Sequence, residues 1–153
     1  MLWLLPFLVG EFPGLSFIHV LRDGREMAQS QNRFLLEREG REFLATELPE
    51  DPVLAQLRLW TIGNRAAARA AVLHLDDGHY LRLHYEDLCQ KPVETITKLL
   101  AFVGSCRPAQ QAEVLAETVV PSERVGGRRD DHANAFTRLD DGARAALAEF
   151  GYL

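Results

Sequence analysis

Short apolar runs alternate along the chain with longer segments that carry apolar residues at helical spacing. Two runs read as strands. Leu15–Leu21 is an apolar stretch with β-branched residues, typical of a strand buried on both faces, and Tyr80–Tyr85 alternates apolar and polar residues. Helical spacing and capping signals predict six helices. They span Leu2–Glu11, Asp23 to about Leu36, Pro52 to the turn at Asp76, Pro92 to Gly104, Ala109–Val119 and Asp140–Phe150. Asp23 is the predicted N-cap of the second helix. The predicted buried face of the third helix consists of Val53, Leu57, Trp60, Asn64, Ala67 and Ala71.

The order of these elements indicates an α/β fold. Strands that are separated by helices favour parallel pairing through helical crossovers. Two strands are too few for a self-sufficient parallel sheet, and the chain begins directly with apolar residues typical of a core. We therefore expect residues 1–153 to form a single partial domain, incomplete at its N-terminus. The polar segment Arg38–Asp51 is predicted to be a loop with room for one helical turn, and Pro121–Ala135 is predicted to be a loop.

Composition narrows the classes of function. The net charge of −5 argues against a general nucleic-acid surface, although a few arginines would suffice for one small anion. The two cysteines, Cys89 and Cys106, show no metal-like or redox-like spacing, so we expect a reduced, cytoplasmic chain. The apolar run Leu2–Val9 is far shorter than the ~20 residues that a membrane span requires.

Candidate chemistry is concentrated where the first strand ends. In open α/β sheets, ligands lie at the carboxyl ends of strands, where helix N-termini offer backbone N–H groups. Arg22 stands at that place, Gly24 would let the backbone approach a ligand, and Arg25 adds a second guanidinium. Ser30 shares a face of the predicted helix with Asp23. A guanidinium and a hydroxyl together suit a phosphate, because one neutralises its charge and the other satisfies a remaining oxygen.

The same stretch allows a purely structural interpretation. Arg22 and Arg25 would then pair with Asp23 or Glu26 in a solvated turn, and no ligand would be involved. Both interpretations stay open on these residues alone, because short motifs often match by chance.

Two segments carry a resemblance to a known family. The stretch FPGLSFIHVLRDGREMAQS resembles the 3′-phosphate-binding segment of the sulfotransferases that depend on 3′-phosphoadenosine 5′-phosphosulfate (PAPS). In that family a buried strand ends in an arginine, and a serine follows eight positions later, as Arg22 and Ser30 do here. The stretch YLRLHYEDLCQKPVETITKLLAFVG resembles a second family segment, in which a tyrosine contacts the adenine. Tyr85 matches that tyrosine.

A third segment, PSERVGGRRDD, resembles the family's C-terminal loop that closes on the 3′-phosphate. Arg124 and Gly126 are its best matches, with Arg128 as a rival for the arginine. The closing FGYL is also similar to the ends of bacterial members. The three segments occur in the family's order and span most of the chain.

The resemblance implies a P-loop-like, parallel-sheet sulfotransferase fold. It implies transfer of a sulfuryl group from PAPS to a hydroxyl or amine, with adenosine 3′,5′-bisphosphate as the product and no metal. The family's glycine-rich loop for the 5′-phosphosulfate, which follows the first strand, has no match here. We therefore expect weak or no transfer activity from this chain, and no catalytic base can be assigned. His19 is predicted to be packed within its strand, and Trp60 within the core.

Two alternatives remain. One is a non-catalytic nucleotide-binding or protein-interaction module derived from a sulfotransferase, whose exposed sheet edge would be covered by a partner or a second copy of the chain. A relative of the P-loop kinases ranks lower, because their Gly-Lys-Ser/Thr loop is equally absent. The sequence does not identify the acceptor, and Arg38–Asp51 is the one sizeable candidate segment for contacting it.

Overall fold

The computed structural model describes residues 2–44, 49–120 and 139–153. The elements of these residues, in chain order, are a 3-10 turn (Leu2–Leu4), α1 (Leu5–Glu11), β1 (Phe17–Leu21), α2 (Gly24–Ala28), α3 (Phe34–Leu44), α4 (Pro52–His74), β2 (Tyr80–His84), α5 (Tyr85–Gln90), α6 (Pro92–Phe102), α7 (Pro108–Ala116) and α8 (Asp141–Glu149). They form two compact units. Of the described chain, the first unit contains residues 3–21 and 68–120, and the second contains Leu2 and residues 22–67 and 139–153.

The small sheet belongs to the first unit. β1 and β2 pair in parallel, with Phe17 opposite Tyr80 and Leu21 opposite His84. The predicted parallel pairing is therefore confirmed, and the described residues form a mixed α/β structure. The second strand ends one residue earlier than predicted, because Tyr85 already begins α5.

The prediction that β1 is buried on both faces is wrong. His19 and Leu21 are each 1% exposed, whereas Val20 between them is 58% exposed. Successive side chains of a strand point to opposite faces, so this alternation marks one covered face and one open face. In the described residues β1 has β2 as its strand neighbour on one side.

A compact apolar cluster packs beneath the covered face. Leu5, Ala70 and Ala71 are buried, and partly buried side chains surround them, among them Phe17 and Tyr80. The prediction that His19 is packed within its strand is confirmed by its burial.

The buried histidine is hydrogen-bonded inside this unit. The hydroxyl of Tyr80 lies 3.0 Å from Nδ1 of His19, and the His19 ring stacks on Phe17 with centroids 5.4 Å apart. Buried polar groups stabilise a fold when they are paired and destabilise it when a partner is removed. His19 and Tyr80 are not opposite each other in the strand register, so this hydrogen bond joins β1 and β2 diagonally.

Removing the Tyr80 hydroxyl should lower the stability of the protein. Tyr80→Phe keeps the ring but deletes the hydrogen bond to buried His19, and we expect a loss of about 1–3 kcal/mol in the free energy of unfolding. Urea denaturation measures it. In a double-mutant cycle with His19→Leu, the two losses should not add, because they share one contact. Strict additivity would show that the pair contributes nothing.

The second unit confirms the predicted buried face of α4. Leu57, Trp60, Asn64 and Ala67 are all buried, and Nδ2 of Asn64 donates to the carbonyl of Trp60 at 2.7 Å. The long helix therefore packs along the stripe that its sequence spacing indicates.

The helix predicted from Asp23 to Leu36 is instead two helices. α2 ends at Ala28 and α3 begins at Phe34. The side chains of Ser30 and Asn32 stabilise the break. The backbone N–H of Asn32 donates to Oγ of Ser30 at 3.2 Å, and the backbone N–H of Phe34 donates to Oδ1 of Asn32 at 3.1 Å. Serine and asparagine side chains compete for backbone groups in this way and act as helix caps.

The predicted loop Arg38–Asp51 is also wrong in its first part. α3 continues through this region to Leu44, so the polar residues there occupy a helix.

Among the described helices, none combines the length and apolar character needed to cross a bilayer.

Candidate functional site

The turn that joins β1 to α2 is organised by Asp23. Its carboxylate accepts from the backbone amide of Arg25 at 2.8 Å, which confirms the predicted N-cap. The same carboxylate accepts from Nε of Arg25 at 2.8 Å, and Nη2 of Arg25 donates to the carbonyl of Tyr152 at 3.0 Å. The Arg25 side chain is largely buried by these contacts. We therefore assign Arg25 to the structure of the turn rather than to an anion, as the structural interpretation held.

Gly24 has a packing role that the sequence did not reveal. A Cβ built at this position would lie 2.7 Å from Cδ2 and Cε3 of Trp60, so the indole occupies the space beside the glycine. The expectation that Gly24 brings the backbone close to a ligand stays a prediction. Its missing side chain makes room for Trp60.

Trp60 is the site residue whose role sequence reasoning missed. It is 9% exposed, as expected for a core residue, but Nε1 also donates to the carbonyl of Arg22 at 3.0 Å. Its ring meets Phe150 edge-on at 5.7 Å between centroids. Trp60 therefore fixes the backbone of the turn from which the Arg22 side chain extends. No local pattern signals this, because the two residues lie 38 positions apart.

The guanidinium of Arg22 is held by Glu26 one helical turn later. Nε and Nη2 donate to the same carboxylate oxygen, Oε2, at 3.2 and 3.0 Å. The Arg22 side chain is 27% exposed and that of Glu26 is 11% exposed. The turn thus presents a charged, oriented and partly accessible guanidinium.

Ser30 lies just beyond the end of α2. Its amide donates to the carbonyl of Met27 at 3.2 Å, and its carbonyl accepts from Nε2 of Gln56 at 3.3 Å. Nε2 of Gln56 also donates to the carbonyl of Ala28 at 2.8 Å, so Gln56 fixes this segment. The argument that Ser30 shares a helix face with Asp23 is wrong, because α2 ends before Ser30. A joint role of Arg22 and Ser30 stays a prediction.

The other predicted site residues lie elsewhere. Tyr85 is half-buried in the first unit and begins α5 directly after β2. Arg124 and Gly126, with the rival Arg128, fall outside the described residues. Of the predicted binding residues that the structure describes, Arg22 and Ser30 lie in the second unit and Tyr85 lies in the first.

An open cavity of about 510 Å³ is formed in the second unit by residues of α3, α4 and the segment before α4. It is lined by Leu36, Glu37, Arg41, Pro49, Glu50, Pro52 and Ala55. Part of this lining comes from the segment Arg38–Asp51, for which acceptor contacts were predicted. That role stays a prediction.

Two kinds of site are not seen among the described residues. Neither described strand is followed by a glycine-rich loop: β1 leads to the single Gly24, against which Trp60 packs, and β2 leads directly into Tyr85. In residues 2–44, 49–120 and 139–153, no group of three or more His, Cys, Asp or Glu side chains is placed to hold a metal. What the turn does present is the oriented guanidinium of Arg22, a group that can make paired, charge-assisted hydrogen bonds to a small anion.

Comparison with known proteins gives one match. Residues 1–106 match the model of a family described as "Sulfotransferase family". This range includes Arg22, Ser30 and Tyr85, and it ends before Arg124 and Gly126. A search of the curated proteins finds no match, and neither does a search of the solved structures.

Proposed function

The chain belongs to the sulfotransferase family, and on that premise we propose that its Arg22 turn binds the 3′-phosphate of PAPS and of adenosine 3′,5′-bisphosphate. The observation that supports this most directly is the state of Arg22. Trp60 fixes its backbone, Glu26 fixes its guanidinium, and more than a quarter of its side chain is exposed. A guanidinium so placed can meet a phosphate with paired, charge-assisted hydrogen bonds.

The remaining partners of the nucleotide are proposed from the family resemblance. Ser30 would add a hydroxyl to the 3′-phosphate and Tyr85 would contact the adenine. Arg124 and Gly126 would close on the phosphate. PAPS, when bound, supplies the sulfuryl group that family members transfer to a hydroxyl or amine, in the P-loop-like fold that the resemblance implies. The role that we propose for this chain's described residues is to bind and orient the nucleotide by its 3′ end.

A nucleotide pair that differs only in the 3′-phosphate tests this proposal. We expect adenosine 3′,5′-bisphosphate to bind more tightly than adenosine 5′-monophosphate by roughly 10- to 100-fold, the value of one charge-assisted contact of about 1.5–3 kcal/mol. Isothermal titration calorimetry at fixed ionic strength measures both affinities, because charge-assisted binding weakens with added salt. Equal affinities would remove the basis for a 3′-phosphate site.

A non-catalytic nucleotide-binding module is a second candidate. The observation that favours it is that neither strand of the described residues is followed by a glycine-rich loop. Incubation with PAPS and a panel of hydroxyl and amine acceptors separates the two. Sulfated product would support the enzyme, whereas binding of adenosine 3′,5′-bisphosphate without any product would support the module.

A further inference from the structure

We propose that Glu26 is a positioning residue for the 3′-phosphate site, which holds the Arg22 guanidinium ready for the ligand. This inference rests on the proposed function and adds a residue to it. Glu26 would not touch the nucleotide. It would act through Arg22, by the two hydrogen bonds of 3.2 and 3.0 Å to Nε and Nη2.

The local structure fixes Glu26 itself. It lies in the first turn of α2, one turn after Arg22, and its side chain is more buried than that of the arginine. An acidic residue is favoured in the first turn of a helix, and an i,i+4 pair meets on one face. A nearly buried carboxylate has few alternative positions, so it can serve as a fixed acceptor for a longer, more mobile partner.

Both ends of Arg22 are therefore restrained in the same unit. Its backbone carbonyl accepts from the buried indole of Trp60, and its guanidinium donates to Glu26. A free arginine side chain has about 2 kcal/mol of rotamer entropy to lose when it is ordered by a ligand. Restraint before binding reduces that cost, which is the general advantage of preorganised sites.

The carboxylate could instead compete with the phosphate for the guanidinium. The chemistry of the guanidinium allows both roles, because the group has five N–H donors. A planar guanidinium has two edges that can each make paired hydrogen bonds, and Glu26 uses the Nε–Nη2 edge through one oxygen. A carboxylate and a phosphate can thus be held by the same arginine, with the carboxylate setting the plane of the group.

Three substitutions separate orientation from charge. Glu26→Gln keeps an acceptor oxygen at the same reach, Glu26→Asp keeps the charge but withdraws the oxygen, and Glu26→Ala removes both. If orientation matters, Ala and Asp should weaken binding of adenosine 3′,5′-bisphosphate by about tenfold, whereas Gln stays within about threefold of the original protein. Binding of adenosine 5′-monophosphate should be unchanged in all three. Calorimetry measures the affinities, and thermal unfolding identifies any variant that fails to fold.

The control for removal of one negative charge is Glu113→Ala, an exposed position on α7. We expect it to leave both affinities unchanged. Tighter binding by both the Ala and Gln variants of Glu26 would show competition and overturn the proposal, and so would unchanged binding by the Ala and Asp variants. Arg22→Ala separates the two levels of argument. If Arg22→Ala has no effect, the proposed function fails, whereas if only the Glu26 variants have none, the positioning role alone fails.

Discussion

Gly24→Ala is expected to destabilise the protein by about 3 kcal/mol, at the upper end of the usual range for overpacking a core. The new Cβ would lie 2.7 Å from two ring carbons of Trp60. The indole has little room to retreat, because Nε1 donates to the carbonyl of Arg22 and the ring meets Phe150. Thermal or urea unfolding measures the change.

A matched glycine is available in α1 as the control. A Cβ at Gly10 would meet no atom within 4 Å, and alanine is the better helix former, so Gly10→Ala should be neutral or stabilising by up to about 1 kcal/mol. Combining Gly24→Ala with the smaller ring of Trp60→Phe should recover part of the lost stability. If Gly24→Ala unfolds at the same point as the original protein, Trp60 does not pack against the turn as described.

Arg22→Ala is expected to weaken binding of adenosine 3′,5′-bisphosphate by roughly 30- to 100-fold, because a charge-assisted contact contributes about 2–3 kcal/mol. The affinity for adenosine 5′-monophosphate should change little, since the contact is to the 3′-phosphate. Calorimetric titration of both nucleotides measures the difference. Arg22→Lys keeps the charge but loses the planar guanidinium. Its affinity for adenosine 3′,5′-bisphosphate should therefore fall between that of the original protein and that of Arg22→Ala.

The matched control for this arginine is Arg65→Ala. Arg65 lies in the same unit, its side chain is 30% exposed, and Nε pairs with Oε2 of Glu149 at 2.8 Å. It resembles Arg22 in exposure and in its glutamate partner but lies outside the turn. Unchanged nucleotide affinity in both Arg22→Ala and Arg65→Ala would refute the assignment of Arg22.

The parts of the fold that sequence analysis predicted correctly are those with local signals. A β-branched apolar run and a strand of alternating residues give β1 and β2. Asp23 is a helix cap, and its carboxylate accepts from the backbone amide of Arg25 two residues later. Gly104 ends α6 with a positive φ, which glycine adopts without strain. Each of these features depends on neighbours in the chain.

The prediction failed where side chains redirect the backbone or where the cause is distant. Ser30 and Asn32 divide the expected helix, a signal that was present in the sequence but was outweighed by the apolar spacing around it. The exposure of Val20 depends on what covers the sheet and cannot be deduced from the composition of the strand. The contact of Trp60 with Arg22 and that of Arg25 with Tyr152 join residues 38 and 127 positions apart, so no short window of sequence contains them.

For the site, sequence analysis names candidate residues, and the structure shows which of them have structural partners. Arg22, Ser30 and Tyr85 fall within the matched range of the family, and their contacts to a nucleotide remain predictions. Arg25 and Gly24 were expected at a ligand, but both have structural partners in the turn. The reason is that an arginine or a glycine looks the same in the sequence whether it contacts a ligand or another part of the protein.

The carbonyl of Tyr152 that receives Arg25 comes 127 positions later in the chain. During synthesis, the segment around Arg22 therefore leaves the ribosome long before Phe150 and Tyr152 exist to cover Trp60. Until then this large aromatic surface lacks two of its neighbours, and incomplete packing of this kind exposes a nascent chain to aggregation and to chaperones. The packing around the Arg22 turn is thus completed only after the distal aromatic residues have been translated.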